Sequence, residues 1–334
     1  MSGFATTPRW SWRWTTWTPI VAGLGIAVLF VVWLMMPRSA PGFVEYPMLV
    51  KTDIPAAITV APDGTVWFTM DFSDAIGVFR NGRIERIRKA GQNLEPLGIA
   101  VDNTGTVWYT DTQTRSIARL SPDGTVQSFP VATPIVRFGR LATAPGGSVW
   151  FADGATASVT RLENGVFTPH LVGTDGATPY GIAIDGKGNV WATLQDPDKL
   201  VRISANGNVT TFDAPSLNSG FGDIAVDGTG AVWFLELGAN RIGRFADGRF
   251  SEFAIPTQSA GLTGLATATD GSVWFTELTA GKIGRIRNGQ VHEFLLPRAR
   301  SRPFNVAVDP ANNVWYTDLS GWLGMLPANL AKSL

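Results

Sequence analysis

Short apolar runs separated by glycine-containing turns repeat along most of the chain. Seven Val-Trp pairs recur at spacings of 41, 42, 41, 42, 41 and 41 residues, and their tryptophans are Trp67, Trp108, Trp150, Trp191, Trp233, Trp274 and Trp315. A fixed period of about 40 residues with four strand-like runs per unit is typical of propeller blades. The pattern therefore predicts an all-β domain over residues 38–334, a seven-bladed β-propeller with four-stranded blades.

One unit shows how a blade should be built. Its strand-like runs are Gly98–Asp102, Thr106–Thr110, Ser116–Leu120 and Val126–Phe129, in order from an apolar innermost strand to a more polar outer strand. An Asp-Gly pair at 123–124 predicts a tight turn between the last two strands. Each unit is therefore expected to fold as an antiparallel meander.

The two ends of the repeat predict how the ring closes. The last unit ends after its third run, Trp322–Leu326, while Phe43–Pro47 matches the outer-strand pattern of Phe250–Phe253 and Val291–Phe294. Pairing Phe43–Pro47 with the third run would cover an edge that an open ring leaves unpaired. We therefore expect the N-terminal run to be the fourth strand of blade seven.

An uncharged stretch precedes the repeat. Ile20–Met36 contains 17 residues without a charge, which predicts a transmembrane helix over 19–37 after an 18-residue tail, 1–18. Tryptophans at both edges of the stretch fit contact with the lipid interface: Trp10, Trp12, Trp14, Trp17 and Trp33. Arg9 and Arg13 before the helix, against Arg38 after it, predict a single-pass protein with a cytoplasmic N-terminus and a periplasmic or extracellular propeller. A cleaved signal peptide is the alternative, but the long apolar run and Arg38-Ser39-Ala40 favour a retained anchor.

Charge and cysteine content narrow the function classes. Lys plus Arg and Asp plus Glu both total 27, so the balance gives no basic footprint for nucleic acid. The chain has no cysteine, which excludes disulfides, thiol nucleophiles and thiolate metal sites. It also has no HExxH, GxSxG or phosphate-loop motif.

Acidic residues recur three positions after the repeat tryptophans. Five of these seven positions are acidic, in the series Met70, Asp111, Asp153, Leu194, Glu236, Glu277 and Asp318. Clustered carboxylates suit a hard cation such as Mg²⁺. The favoured alternative is ion pairing across each hairpin, of Asp111 with Arg115, Glu236 with Arg241 and Glu277 with Lys282. Asp153 and Asp318 have no such neighbour, so they remain the metal candidates.

A second group of candidates lies where the innermost strands begin, at the expected mouth of the central channel. Aromatic or apolar side chains there could bind a ligand or a partner, or simply plug the channel. Two nearby arginines could bind an anion or remain solvated. The candidates are Leu97, Tyr180, Phe221, Phe304, Glu95, Arg137 and Arg302.

The repeat unit resembles the virginiamycin B lyase (streptogramin lyase) family. The resemblance rests on Pro179-Tyr-Gly-Ile-Ala183, Gly271-Ser-Val-Trp-Phe-Thr-Glu277, Lys282-Ile-Gly-Arg-Ile286 and Glu293-Phe-Leu-Leu-Pro297, and it extends over residues 43–327. It implies a magnesium-dependent lyase that opens a cyclic depsipeptide by elimination, with histidines eleven residues before the blade tryptophans.

Those histidine positions are not retained in this chain. They are Ala56, Leu97, Gly139, Tyr180, Gly222, Thr263 and Phe304. The only histidines, His170 and His292, fall in predicted outer strands, and Glu95-Pro96-Leu97 has leucine where the family's Glu-Pro-His has its base. A general base must reach the proton that it removes. We therefore assign no catalytic residue and no cofactor.

Three functional hypotheses remain. The favoured one is a membrane-anchored, non-catalytic propeller that binds other subunits of a respiratory, photosynthetic or transport complex through its helix and its blades. The alternative is a Mg²⁺-dependent lyase-like enzyme with a rebuilt site that uses Glu95, Asp153 or Asp318. A ligand sensor is disfavoured, because the 18-residue tail carries no signalling domain.

Overall fold

The repeat folds as the sequence predicts. A computed structural model describes residues 42–93, 96–133, 137–174, 176–216 and 219–333. Its strands form seven four-stranded antiparallel sheets, each a meander of consecutive strands apart from the closing blade. The all-β seven-bladed propeller is thereby confirmed.

Each blade contributes one strand at each of four positions from the channel outwards. The innermost strands, from blade one to blade seven, are β2 (Ile54–Val60), β6 (Ile99–Val101), β10 (Phe138–Thr143), β14 (Pro179–Ile184), β18 (Phe221–Val226), β22 (Leu262–Thr267) and β26 (Pro303–Val308). The second strands are β3 (Val66–Asp71), β7 (Val107–Asp111), β11 (Val149–Asp153), β15 (Val190–Gln195), β19 (Val232–Glu236), β23 (Val273–Glu277) and β27 (Val314–Asp318). The third strands are β4 (Ser73–Arg80), β8 (Ser116–Leu120), β12 (Ser158–Glu163), β16 (Asp198–Ile203), β20 (Arg241–Ala246), β24 (Lys282–Arg287) and β28 (Trp322–Leu326). The outer strands are β5 (Arg83–Asn93), β9 (Val126–Pro130), β13 (Val166–Leu171), β17 (Val209–Asp213), β21 (Arg249–Ala254), β25 (Gln290–Leu295) and, in blade seven, β1 (Val44–Pro47).

Blade seven closes the ring as expected. β1 pairs antiparallel with β28, with Val44 opposite Met325 and Pro47 opposite Trp322. The Thr317 hydroxyl then donates a 2.5 Å hydrogen bond to the backbone oxygen of Ala56 in blade one. The first and last segments of the propeller are therefore joined both by a strand ladder and by a side-chain bond.

The repeat tryptophans lie between the blades and are held in two ways. In four blades the indole Nε1 donates to an aspartate six residues earlier: Trp108 to Asp102, Trp191 to Asp185, Trp233 to Asp227 and Trp315 to Asp309. In five blades a third-strand arginine lies 5.5–5.9 Å from the indole centroid: Arg119, Arg161, Arg202, Arg244 and Arg285. Such cation–π contacts add to the burial of the large indole surface.

A short helix after the last strand covers part of the propeller. This helix, α1 (Ala328–Ser333), packs Ala331 into one buried cluster with Phe43, Trp274 and Ala268. The Arg285 guanidinium donates a hydrogen bond to the backbone oxygen of Ala331. The repeat pattern of the sequence did not predict this helix.

The predicted membrane segment lies outside the described residues. Residues 1–41, which include Trp10, Trp12, Trp14, Trp17 and Trp33, are not among them, so the transmembrane helix remains a prediction. Within residues 42–333, as far as they are described, no helix has the length and apolar character of a membrane span.

Candidate binding site at the channel mouth

Strand direction separates the propeller into two faces. The innermost strands begin where the second strands end, as Pro179 opposite Leu194 shows, and we name this side the mouth face. On the opposite side, which we name the turn face, lie the turns between first and second strands and the start of β1 at Val44. The candidate side chains at the channel therefore share the mouth face.

A buried ion pair crosses the channel below its mouth. The Arg140 guanidinium of blade three lies 3.2 Å from the Asp223 carboxylate of blade five, and the two residues are only 6% and 7% exposed. Arg140 also donates to the backbone oxygens of Leu97 at 2.9 Å and Thr263 at 3.3 Å. One guanidinium thus links blades two, three, five and six.

The Asp223 carboxylate also has hydrogen-bond partners other than Arg140. Asp223 accepts backbone hydrogen bonds from Ile224 and Leu265 and interacts with the Asn305 side chain. Burial raises the pKa of Asp223, while the adjacent Arg140 cation opposes that rise. A carboxylate with this many donors and a cation beside it can remain ionised in a buried place.

Aromatic rings complete the closure. Tyr180 and Phe304 lie 5.8 Å and 5.9 Å from the Arg140 guanidinium, measured to their ring centroids. The remaining cavity beside the ion pair measures about 120 Å³, and Leu97, Arg140 and Asp223 are among its lining residues. That volume holds only a few water molecules, since one occupies about 30 Å³ in the liquid. The chain's own side chains therefore plug the channel.

One of the predicted mouth residues lies elsewhere in the blade, and another is outside the described residues. Phe221 was wrongly placed at the mouth: it is fully buried between blades, with its ring 4.5 Å from that of Phe234. It precedes the mouth position Gly222 by one residue, and successive strand residues point to opposite sides. Glu95 lies outside the described residues, so its role stays a prediction.

The two arginine candidates belong to the same local structure as the two metal candidates. Arg137 and Arg302 have exposed side chains, and each donates its backbone N–H to Asp153 or Asp318 respectively. Asp153 also accepts from Ala155 N–H and the Thr156 hydroxyl. Each aspartate therefore holds the start of an innermost strand against the end of the second strand.

Asp318 is, in addition, part of an ion pair. The Arg298 guanidinium lies 2.8 Å from Asp318 and 2.9 Å from Glu45, and it stacks 4.5 Å from the Trp322 ring centroid. In the part of the chain that the structure describes, no three His, Cys, Asp or Glu residues are grouped so that they could hold a metal ion. Metal binding at Asp153 or Asp318 thus stays a prediction.

Two of the predicted hairpin ion pairs are wrong. Arg241 pairs with Glu252 of the outer strand at 2.7 Å, and Lys282 pairs with Glu293 at 2.7 Å. Both cations point towards the outer strand, because Glu252 and Glu293 are more exposed than the fully buried Glu236 and Glu277. In the third predicted case, Asp111 forms an ion pair with Lys89 at 3.3 Å.

The displaced acids, Glu236 and Glu277, are fully buried near the mouth face. Neither carboxylate accepts a hydrogen bond from an N–H or hydroxyl donor among the described residues, although the carboxyl groups of Glu236 and Glu252 lie within hydrogen-bond reach of each other. Burial, reinforced by the nearby charges of Glu252 and Glu293, raises the pKa of each group to about 7. Among the described residues, these are the glutamates with the largest pKa shifts, and their sequence position alone did not reveal it.

Both histidines lie in outer strands, as predicted. The His170 ring stacks on Trp150 with centroids 5.1 Å apart, in the place that Phe129 takes beside Trp108 in blade two. Burial and the nearby Arg161 lower the pKa of His170. His292 is exposed in β25. Neither histidine can act on a group bound at the mouth.

The fold and the mouth together define a seven-bladed propeller whose channel is closed by a buried ion pair. The sequence profile of the virginiamycin B lyase family matches residues 39–195 and 141–326, so the chain belongs to that family. The resemblance seen in the repeat motifs is thereby confirmed.

Individual relatives agree with this assignment. The virginiamycin B lyase of Nocardia farcinica (strain IFM 10152) is 31% identical over 189 residues, which span 57% of this chain and 65% of that protein, just under two thirds. A streptogramin B lyase structure is 25% identical with a TM-score of 0.81, and covers 85% of this chain and 96% of its own. A catalytically inactive virginiamycin B lyase from Staphylococcus aureus, solved with quinupristin, shares the fold with a TM-score of 0.80 at 24% identity, over 85% of this chain and 98% of that one.

Proposed function

We propose that this chain is a non-catalytic binding subunit of a membrane protein complex. The observation that carries the proposal is the plugged channel. There Arg140 forms an ion pair with Asp223 and lies against the rings of Tyr180 and Phe304, so these side chains fill the channel themselves. Elimination chemistry needs a base within reach of the substrate proton. At the mouth, the described titratable groups nearest the channel axis are already paired or stacked, which supports recognition over catalysis.

The membrane part of the proposal comes from the sequence. Ile20–Met36 is long enough to cross most of the hydrocarbon core as a helix. With a cytoplasmic N-terminus, such a helix would put the propeller on the outer side of the membrane, where partner subunits can contact it.

A second candidate function is a lyase-like enzyme with a rebuilt site. Family membership and the 31% identity to the Nocardia farcinica protein favour it. Its magnesium ion would need oxygen ligands that are free to converge, but Asp153 and Asp318 are engaged by backbone, hydroxyl or guanidinium donors in different blades. The described carboxylates therefore do not fit a magnesium site, and we derive no step through the metal.

Purification of the full chain from its native membranes tests the proposal. In mild detergent we expect the protein to migrate with stoichiometric partner subunits, because a propeller that catalyses no reaction would function by binding other proteins. Replacing the exposed mouth arginines in an Arg137→Ala and Arg302→Ala double variant should reduce partner recovery several-fold. Arg249→Ala, an exposed arginine where β21 begins on the turn face, serves as the matched control. A chain that always migrates alone would contradict the proposal.

A further inference from the structure

One repeat tryptophan lacks the partners that its equivalents have. The other six are at most 8% exposed, whereas Trp67 of blade one is only partly buried. Ala61 stands where an aspartate would accept from the indole, and Val78 stands where five blades have the stacking arginine. Ile87 replaces the outer-strand aromatic ring. Among the described residues, Trp67 consequently has no hydrogen-bond, ring or cation partner.

Trp67 lines an open cleft on the turn face. This blade one–two cleft has a volume of about 570 Å³, and its walls include Trp67, Ile87, Pro122, Asp63 and Asp123. Asp63 and Asp123 are exposed, and each uses one carboxylate oxygen to accept a backbone N–H of its own turn. The nearby Arg80 is already paired with Glu85 at 2.7 Å. The cleft thus combines an uncovered aromatic surface with acidic side chains, which is complementary to a cation.

Blade six shows one way in which the fold covers an indole whose aspartate is missing; in blade three, where Ala144 stands at that position, Arg161 and His170 cover Trp150. Ala268 occupies that position beside Trp274, and α1 covers the place, leaving the indole only 2% exposed. Arg285 stacks on Trp274 and donates to a backbone oxygen of the docked helix. A tryptophan, an arginine and a docked segment therefore form one unit in blade six, and blade one supplies only the tryptophan.

We propose that the blade one–two cleft binds an arginine side chain from a partner protein, with its guanidinium stacked on Trp67. The arginine takes the place that Arg119 fills beside Trp108, while Asp63 and Asp123 face its charge. Arginine suits the site better than lysine because its planar guanidinium stacks on aromatic faces. The blade four–five cleft, of about 540 Å³, provides the internal comparison, because its Trp191 already carries Arg202.

The test uses the full chain in detergent, labelled with 5-fluorotryptophan and titrated with the probe peptide acetyl-Leu-Arg-Leu-amide. The fluorine resonance of Trp67, assigned from Trp67→Phe, should shift saturably while that of Trp191 does not. Replacing arginine in the probe by citrulline should weaken binding about threefold or more, since the cation–π attraction is lost. Val78→Arg, which supplies the guanidinium internally, should remove the Trp67 shift.

A second variant protects the test against misfolding of Val78→Arg. Asp63→Asn combined with Asp123→Asn keeps a side-chain oxygen that can accept the backbone N–H of each turn and removes both charges, so it should weaken probe binding about threefold or more. Asp247→Asn in the blade four–five cleft is the matched control and should leave binding unchanged. Equal shifts at Trp67 and Trp191, or equal binding by the citrulline peptide, would overturn the proposal. So would a free-chain Trp67 resonance that moves on Arg9→Gln, Arg13→Gln or Arg38→Gln, because the chain's own N-terminal segment would then be the occupant.

Discussion

Replacing Arg140 by alanine should lower the free energy of unfolding by about 3–5 kcal/mol, because it leaves Asp223 as an unpaired buried carboxylate. The guanidinium also donates to the backbone oxygens of Leu97 and Thr263, so three blades lose a contact with blade three at once. Urea unfolding of the full chain in detergent measures the change. A loss of this size would make Arg140 one of the most sensitive positions in the propeller.

Two further variants separate charge burial from general damage. An Arg140→Met and Asp223→Leu double variant removes both charges together and should recover much of the stability, since apolar replacement of a buried ion pair is often neutral. Arg83→Ala breaks an exposed ion pair with Glu85 and should change stability by about 1 kcal/mol or less. If Arg140→Ala proves as mild as Arg83→Ala, the ion pair does not hold the channel closed.

The stability of the propeller should fall as the pH rises from about 5 to about 8. The pKa values of Glu236 and Glu277 are raised to about 7 in the folded state, against an unfolded value of about 4.3, so folding binds protons between these limits. The protonated acids fit their buried sites, and the stability they contribute is complete below about pH 4 and lost as the pH passes 7. Ionisation of each group should lower the free energy of unfolding by about 2–3 kcal/mol at pH 8 relative to pH 5.

Glutamine variants test this origin of the pH dependence. Glu236→Gln and Glu277→Gln mimic the neutral acids, so each should unfold with a flatter pH profile and be more stable than the native chain at pH 8. Glu163→Gln, which removes an exposed acid paired with Arg161, is the matched control and should leave the profile unchanged. A native profile retained in both buried variants would show that neither acid is protonated in the folded state.

The sequence predicted the fold well because the repeat encodes it many times over. The seven tryptophans set the blade count, and the outer-strand pattern of Phe43–Pro47 was sufficient to place β1 against β28. Blade two also begins and ends its strands within about a residue of the predicted limits, since its turns are marked by Asn-Thr-Gly and Pro-Asp-Gly. Helix α1 was missed because its six residues carry no repeat and too few turns for a periodic signal.

The site was harder to predict because it is assembled across the ring. Arg140 and Asp223 are 83 residues apart, and each follows a glycine at a mouth position, so no local pattern joins them. The mouth positions themselves were predicted from the tryptophan spacing, which is why Leu97, Tyr180 and Phe304 were found. The ion pairs of Arg241 and Lys282 were assigned wrongly because the prediction compared only the second and third strands of each blade. The carboxylates that these cations contact, Glu252 and Glu293, lie on the outer strands.

Incubation of the full chain with quinupristin and Mg²⁺ is the most direct test of the proposal that the plugged propeller is not a lyase. The Staphylococcus aureus virginiamycin B lyase serves as the active control, and ring opening is followed by mass spectrometry. We expect turnover about a thousandfold or more below that control, because none of the family's histidine positions is retained and the described ion pair at the channel is already formed between Arg140 and Asp223. Ring opening at a comparable rate, lost in Asp153→Asn or Asp318→Asn variants, would contradict the account and establish a rebuilt active site.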